Sequence, residues 1–358
     1  CPPCRGSSAL EGSPRRARIA RSRTRDQSNV TVVSENLSSF TPTWQFDVVT
    51  LIGVLEYAAM GSSADDPAKA MLAQVASLVK PDGVLILAIE NQLGLKYFAG
   101  APEDHIQMPM YGLEGRYREK QPRTYGRESL SNMLSLSGFS RVKFFSPFPD
   151  YKLPSSILTE TGMEHDSFDA SDLISQSVKH DPQSPQTVAF SPELVWPQIY
   201  RNKLGFELAN SFLVVASPSA RHMVDPSILA YHYSTNRVPQ YVKETVFVAK
   251  SNKTISVNCR KLHPSGGIDD PNDVVKHSVA EKSPYIQGHL LASEFTEIVS
   301  RDGWVVDEVG AFYHRYLDFL EEVLRKDDPT KRIWWVKNRS RRLDDKLPGK
   351  FFDISPQN

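Results

Sequence analysis

The sequence predicts an α/β fold with a doubly wound sheet. Two apolar runs, 46–57 and 84–89, contain Val, Ile and Leu without polar alternation, which is typical of parallel strands buried on both faces. Between them, apolar residues at helical spacing predict a helix over 68–79, and Lys80-Pro81-Asp82-Gly83 predicts its end. Because ligands bind at the carboxyl ends of strands in such sheets, we expect a site lined by Gly53, Glu56, Tyr57, Glu90 and Asn91.

The composition excludes several classes of protein. The chain has 358 residues with 42 basic and 42 acidic side chains, a balance that gives no support to binding of nucleic acid or a membrane surface. No stretch approaches the roughly 20 apolar residues of a membrane span, and no signal peptide is recognisable. The 3 cysteines argue against a disulfide scaffold and are compatible with a reducing compartment. We therefore expect a cytoplasmic protein.

The two ends suggest that the chain is a fragment. It does not begin with methionine, and its last residue lies within a segment that resembles a motif. Cys1 and Cys4 form a Cys-x-x-Cys, but a structural zinc site needs four ligands and Cys259 is the only other cysteine. We predict that residues 1–8 are a disordered or unrelated terminus that contains no strand.

Two segments carry a family resemblance. Asp47 in Phe-Asp-Val-Val-Thr-Leu, and the run Leu78 to Gly83, resemble the fourth strand and the helix end before the fifth strand of class I S-adenosylmethionine-dependent methyltransferases. The segments 53–57, 89–98, 102–105 and 147–154 resemble a bacterial subgroup associated with cell-surface polysaccharide synthesis. The resemblance implies S-adenosylmethionine as the cofactor and a small-molecule sugar or glycan intermediate as the methyl acceptor. On the strands alone, any doubly wound domain with a Pro-Asp-Gly turn is the alternative.

The resemblance also implies which residues bind the cofactor. Glu11 matches the acid at the end of the second strand that accepts hydrogen bonds from the ribose hydroxyls, although an acid before the predicted helix 14–25 is also favoured by the helix dipole. Val30 to Val33 is predicted as the third strand, followed by Glu35 and Asn36 near the adenine. The implied site is completed by Gly53, Glu56 and Tyr57.

A departure from the family lies before Glu11. No glycine-rich turn occurs there, so we expect the first strand to be missing or incomplete and half of the cofactor site to be absent. The chain is then expected to bind the cofactor weakly or not at all. A non-catalytic binding or assembly protein with a degenerate methyltransferase domain is the alternative function.

A long loop is predicted to cover the site. Residues 95–125 are rich in Gly, Pro, Tyr and His and lack periodicity. Methylation of a hydroxyl needs a base near the acceptor oxygen, and His105, next to Glu103 and Asp104, is the candidate; a surface histidine without a catalytic role is the alternative. Thr124 is a possible cap of the helix that follows.

The rest of the chain is predicted to form two domains. Strands over 141–145 and 208–216, with an irregular insertion over 155–197, complete a methyltransferase-like domain over 9–217. A smaller α+β domain over 223–358 follows, with a hairpin of strands 245–249 and 254–262 and helices over 294–300 and 305–325.

The end of this second domain resembles a kinase. Asp353 and Asn358 have the spacing of the phosphotransferase loop of aminoglycoside-kinase-like folds. The resemblance implies Lys261 at the nucleotide phosphates, Asp353 as the base and Asn358 as the metal ligand, with Mg-ATP as the cofactor. The alternative is a domain that binds a partner or a carbohydrate.

Overall fold

The computed structural model describes residues 6–219, 224–251, 254–263 and 279–327. The strands are β1 (Ser7–Leu10), β2 (Val30–Val33), β3 (Phe46–Ile52), β4 (Val79–Glu90), β5 (Arg141–Phe148), β6 (Ser156–Thr159), β7 (Ser211–Ser217), β8 (Ile228–Ser234), β9 (Lys243–Ser251), β10 (Thr254–Lys261) and β11 (Lys282–Pro284). The helices are α1 (Pro14–Arg23), α2 (Pro67–Leu78), α3 (Leu95–Phe98), α4 (Arg127–Leu136), α5 (Glu160–Glu164), α6 (Ser171–Val178), α7 (Pro192–Arg201), α8 (Gly205–Leu208), α9 (Leu291–Ser300) and α10 (Val306–Asp327). Among these described helices, none combines the length and apolar content needed to cross a membrane.

Two sheets hold the strands of this mixed α/β fold. β1 and β2 form a parallel pair, and the other nine form one sheet in the order β11-β10-β9-β8-β6-β5-β7-β4-β3. β3 and β4 run parallel, with Leu51 opposite Leu87, whereas the other neighbouring pairs of the large sheet are antiparallel. The predicted crossover of β3, α2 and β4 is present. The doubly wound layout as a whole remains a prediction.

The prediction that β3 is buried on both faces is wrong. Only Leu51 of this strand is buried, and the residues Val48 and Ile52 are 51% and 47% exposed. β3 is exposed because it is the edge strand of the large sheet and, among the described strands, has only β4 as a neighbour there. The apolar pattern identifies a strand, but the number of its neighbours depends on distant parts of the chain.

α2 and β4 join in a different place from the predicted turn. The helix begins at Pro67 after Asp66, whose carboxylate accepts the backbone N–H of Lys69 at 3.1 Å. It ends at Leu78, and β4 begins directly at Val79, so Pro81, Asp82 and Gly83 lie within the strand. Gly83 permits close backbone approach, because a Cβ there would lie 2.9 Å from the carbonyl oxygen of Asp47.

The main core lies between the large sheet and its helices. Leu72 and Val75 of α2, and Leu130 of α4, are almost fully buried. Each such side chain contributes about 1.5–3 kcal/mol by leaving water. The core also includes Leu85, Leu87 and Ile89 of β4, Phe212 and Val214 of β7, and Leu229 and Ala230 of β8.

Three local expectations need correction. Ser7 and Ser8 belong to β1, so this strand begins within the segment predicted to lack one, while Cys1 and Cys4 lie outside the described residues. Thr124 does not cap α4, whose N-cap is Gly126, and its hydroxyl instead lies 2.8 Å from that of Tyr117. The insertion over 155–197 is not irregular, because it contains β6, α5, α6 and part of α7. Those elements are too short for their periodicity to be recognised.

The second half of the chain continues the same sheet. β8 pairs with β6 across the predicted domain boundary, and β9 and β10 form the predicted hairpin, with Lys261 at the end of β10. The predicted helices are present as α9 and α10. The division into two domains remains a prediction.

Candidate functional site

The candidate site lies where β3 and β4 end. Gly53 follows β3 with a φ of 62°, a left-handed conformation that favours glycine, and its N–H donates to the carbonyl of Ala88 at 3.0 Å. The chain then turns through a short 3₁₀ helix, Leu55–Tyr57. This turn buries Leu55 and Glu56 completely and leaves Tyr57 45% exposed. The backbone turn therefore brings an acidic side chain into the interior.

Glu56 and Glu90 form a buried acidic pair. Glu56 is fully buried, and Glu90, the last residue of β4, is 1% exposed. Neither carboxyl oxygen of Glu56, nor Oε2 of Glu90, accepts a hydrogen bond from a nitrogen or hydroxyl donor among the described residues. Burial, and then the neighbouring Glu90, raise the pKa of Glu56 to about 9. With nothing else bound, Glu56 is therefore protonated at neutral pH and can share that proton with Glu90.

His105 reaches the same place from the loop that follows α3. Its Nδ1 lies 3.2 Å from Oε1 of Glu103, and its ring packs edge-on against Tyr57 with centroids 5.1 Å apart. A carboxylate only accepts hydrogen bonds, so Nδ1 donates and Nε2 is the unprotonated nitrogen of the neutral ring. Burial lowers the pKa of His105, but the bond to Glu103 and the charge of Glu90 outweigh it and raise that pKa above its ordinary value.

Glu103 is itself firmly held. It is 2% exposed, and its Oε2 accepts the backbone N–H groups of His105 and Ile106 at 2.8 and 2.6 Å. Burial raises the pKa of Glu103, but the hydrogen bonds from His105 and Ile106 together outweigh burial, so that the pKa lies below its ordinary value. Tyr117 donates to Oε1 at 3.2 Å. Glu103 is thus a fixed carboxylate that orients the imidazole.

Two lysines supply the positive charge. The ammonium of Lys152 contacts Oε1 of Glu90 and lies 3.2 Å from Asp104. The same oxygen of Glu90 accepts a hydrogen bond from the hydroxyl of Tyr151 at 3.4 Å. The side chain of Lys96 is 4% exposed and lies 3.0 Å from Asp104 and 3.4 Å from Asp150. Burial raises the pKa of Asp104, but the charges of Lys96 and Lys152 and the hydrogen bond from Tyr97 together outweigh burial and hold that pKa well below its usual range.

The site keeps an excess of acid. Five buried acidic side chains meet here against two lysines: Glu56, Glu90, Glu103, Asp104 and Asp150 against Lys96 and Lys152. Charges taken out of water need partners, so this surplus favours either bound protons or a bound cation.

The structure brings part of the predicted set together. Gly53, Glu56, Tyr57, Glu90 and His105 share this edge of the sheet. The prediction that Asn91 lines the ligand site is wrong. Its buried side-chain amide donates to the carbonyls of Glu207 and Ala209, both at 2.8 Å, and so supports the backbone rather than facing a ligand.

The predicted ribose and adenine residues lie on the two-stranded sheet. Glu11 follows β1, where its Oε1 accepts the N–H of Ser13 at 2.9 Å and lies 3.5 Å from Arg16. Glu35 and Asn36 follow β2, and a Cβ on Gly12 would lie 2.9 Å from Oδ1 of Asn36. The ends of β1 and β2 thus lie side by side, with Leu10 opposite Val33. The cofactor contacts of these residues remain predictions.

Sequence reasoning missed Lys96, Tyr151 and Lys152 as members of the site. The segment Pro147 to Pro154 contains Tyr151 and Lys152 as well as Asp150. At the level of sequence it served only to identify the family resemblance, and none of its residues was assigned to the site. Lys152 meets Glu90 from 62 residues away in the chain. The available signal was a charged pair, Asp150 and Lys152, in an otherwise apolar and proline-rich segment.

The predicted kinase-like residues are only partly described. Lys261 lines a cleft of about 640 Å³ together with Cys259, Arg260, Val279 and Glu281. Asp353 and Asn358 lie outside the described residues. The base and the magnesium ligand of that hypothesis therefore stay predictions.

The sequence matches no protein-family model and no curated protein. Solved structures similar to parts of the chain include S-adenosylmethionine-dependent methyltransferases. One, from Thermotoga maritima, is described as a possible histamine N-methyltransferase; it is 14% identical over 61% of this chain and 83% of its own, with a TM-score of 0.34. The N-methyltransferase NodS of Bradyrhizobium japonicum, in complex with S-adenosylhomocysteine, is 14% identical over 39% of this chain and 57% of its own, with a TM-score of 0.28. A complex of the Haloferax volcanii activator Trm112 with a putative methyltransferase matches at 15% identity over 60% of this chain and 73% of that chain, with a TM-score of 0.34.

Proposed function

We propose that the chain transfers a methyl group from S-adenosylmethionine to an oxygen of a sugar or glycan intermediate. The observation that carries the proposal is the buried pair Glu56 and Glu90, with unsatisfied oxygens beside His105, at the carboxyl ends of two parallel strands. This edge is where open α/β sheets bind their ligands. The glycan acceptor rests on the resemblance of the segments around Glu90, His105 and Lys152 to the surface-polysaccharide subgroup.

The residues present fit a cationic cofactor that carries a ribose. The surplus of buried carboxylates suits a positive charge, and the Glu11 carboxylate, 30% exposed after β1, suits a pair of hydroxyl donors. When bound, S-adenosylmethionine supplies a methyl group on a positively charged sulfur. Glu11, Glu35 and Asn36 would hold its nucleoside, and Gly53, Glu56 and Tyr57 would complete the site.

The acceptor side is assigned to the acidic pair and the histidine. An acceptor hydroxyl must be oriented and must lose its proton for the reaction to proceed. With Nδ1 of His105 donating to Glu103, Nε2 is the atom available to act on the acceptor oxygen. Tyr57 packs against that ring and restricts its rotation.

Calorimetric titration with S-adenosylmethionine and with S-adenosylhomocysteine tests the proposal. We expect saturable but weak binding, because no glycine-rich turn precedes Glu11. Glu11→Ala should weaken it further by about 1–3 kcal/mol, because charged hydrogen bonds to the ribose are lost. Asp26→Ala is the matched control, because Asp26 is an exposed acid near the same helix, paired only loosely with Arg25 at 3.6 Å. A folded chain that binds neither ligand would overturn the proposal, and unchanged affinity of Glu11→Ala would remove Glu11 from it.

A further inference from the structure

We propose that Glu56, Glu90 and His105 bind a divalent transition-metal cation at the ends of β3 and β4. One ligand atom from each residue can be chosen so that all three lie within 4.8 Å of one another. Such spacing suits a single ion with bonds of about 2.0–2.2 Å to oxygen and nitrogen. The inference deepens the proposed function and rests on it for the role of the ion, but not for its binding.

The oxygens of the acidic pair are available to a ligand. Both oxygens of Glu56 and Oε2 of Glu90 are buried and accept no hydrogen bond from a nitrogen or hydroxyl donor in the described part of the chain. The other oxygen of Glu90 is already taken by Lys152 and Tyr151. Buried carboxylates that receive no hydrogen bond from the rest of the site are costly, and a bound cation in place of the proton shared by Glu56 and Glu90 would remove that cost.

The histidine is oriented in the way metal ligands usually are. Metal-binding imidazoles typically donate their second ring nitrogen to a carboxylate, which fixes the tautomer and the ring orientation. Glu103 does this for His105, at 3.2 Å, and is itself fixed by two backbone N–H groups. Nε2 is thereby the nitrogen left for coordination.

The charge of the surroundings favours a cation. The five acidic side chains of the site exceed its two lysines, and the lysines are used by Asp104, Asp150 and Glu90. Glu56 forms no ion pair with a lysine or arginine among the described residues. A divalent ion would balance most of the remaining negative charge.

The ligand types select the ion. Two carboxylates and one imidazole suit Mn²⁺ or Zn²⁺, whereas Mg²⁺ and Ca²⁺ prefer oxygen ligands alone. Three protein ligands leave coordination positions open, as in catalytic rather than structural metal sites. An acceptor hydroxyl that occupied such a position would be more acidic and would release its proton to solvent. His105 would in that case serve as a ligand of the ion rather than as the base.

Titration of the chelator-treated protein with Mn²⁺ and, separately, with Zn²⁺ tests the site. We expect one ion per chain, and at least tenfold weaker affinity in both Glu56→Gln and His105→Gln. Glu103→Gln should weaken binding less but measurably, because it removes only the support of the imidazole. Glu128→Gln, an exposed acid on α4, is the control and should bind like the unchanged chain.

Pulsed electron paramagnetic resonance of the Mn²⁺ form supplies a second readout. We expect the unchanged chain to show coupling between Mn²⁺ and a nitrogen of one imidazole. His105→Gln should lose this coupling while its circular dichroism spectrum shows that it remains folded. Equal affinity in the unchanged chain and the two ligand variants, or coupling that survives in His105→Gln, would overturn the site. So would absence of binding by the folded, unchanged chain.

A separate titration of the metal-free protein with S-adenosylmethionine distinguishes the two proposals. Metal binding that depends on Glu56 and His105, without any cofactor binding, would retain the metal site and overturn the methyltransferase function. Cofactor binding without metal binding would overturn the metal site and retain the methyltransferase function.

Discussion

Lys96 shows how much depends on a single buried charge. Its ammonium contacts Asp104, Asp150 and the side chain of Gln183, the last at 2.9 Å, while almost no part of its side chain reaches solvent. Removing one partner of a buried ion pair leaves the others charged and unpaired. This lysine is therefore the buried counter-charge that helps two acids of the site to remain ionised.

We expect Lys96→Met to lower the free energy of unfolding by about 3–5 kcal/mol, measured in urea, because Asp104 and Asp150 lose their buried partner and keep only the half-exposed Lys152. The matched control is Lys80→Met. Lys80 pairs with Asp47 at 2.8 Å, but their side chains are 45% and 84% exposed, so the loss should stay below about 1 kcal/mol. Similar losses in the two variants would contradict this account of Lys96.

His232 gives the stability a dependence on pH. Burial lowers its pKa from 6.5 to about 4, with smaller contributions from Lys243 and Arg237. The unfolded chain then binds the proton more readily than the folded one between those two values. The contribution is complete above pH 6.5 and is lost as the pH falls towards 4.

We expect the free energy of unfolding to fall by up to roughly 3 kcal/mol between pH 7 and pH 4.5 from this residue alone. His232→Asn removes the titration while keeping a polar group near Ser156, whose hydroxyl lies 3.0 Å from Nδ1. Urea unfolding at both pH values measures the difference between the two proteins. If the variant loses as much stability on acidification as the unchanged chain, His232 is not the responsible group.

At the scale of elements, α5 packs unusually closely on β8. A Cβ on Gly162 would lie 1.9 Å from the carbonyl oxygen of Leu229 and 2.6 Å from its carbonyl carbon. These are backbone atoms of a fully buried strand residue and cannot move aside as a flexible side chain would. The absence of a side chain at this position sets the distance between helix and strand.

We expect Gly162→Ala to destabilise the protein by about 2 kcal/mol or more, because α5 must move away from β8. Gly310→Ala is the matched control, since Gly310 lies inside α10 and a methyl group added there would meet no described atom within 4 Å. It should raise stability by about 0.5–1 kcal/mol, as alanine does in an open helix position. Thermal unfolding measures both, and a Gly162→Ala protein as stable as the parent would show that α5 can shift freely.

The sequence predicted local elements well and their neighbours poorly. The β3, α2 and β4 unit and the β9 and β10 hairpin were predicted because their patterns lie within a few consecutive residues. The exposure of β3 was not, because it depends on which strands lie beside it. In the candidate site, Glu56 and His105 were predicted from strand ends and loop composition, whereas Lys96 and Lys152 were missed because their partners are distant in the chain.

At the scale of the whole molecule, the large sheet crosses the predicted domain boundary. Leu158 of β6 pairs with Ala230 of β8, and both are fully buried in the same core. Thr159 adds a side-chain bond across the boundary, donating to the carbonyls of Ile228 and Leu229 at 2.8 and 3.0 Å. Strands that share a core tend to unfold together.

We expect differential scanning calorimetry of the chain to show a single unfolding transition, because β6 and β8 lie on either side of the predicted boundary and should unfold together. A chain that ends at residue 219 should lose stability because the core loses Leu229 and Ala230 and β6 loses a neighbour. Two transitions, together with an unchanged melting temperature of the shortened chain, would favour two independent domains instead.

The exposed flank of β3 has a consequence for the behaviour of the protein at high concentration. Within the described residues this strand pairs on one side only, and Val48 and Ile52 are each about half exposed to water. An apolar edge with unpaired backbone groups is a template for strands of other molecules. Because apolar contact rather than charge would drive such self-association, added salt would not dissolve it, and dilution would be the more effective remedy.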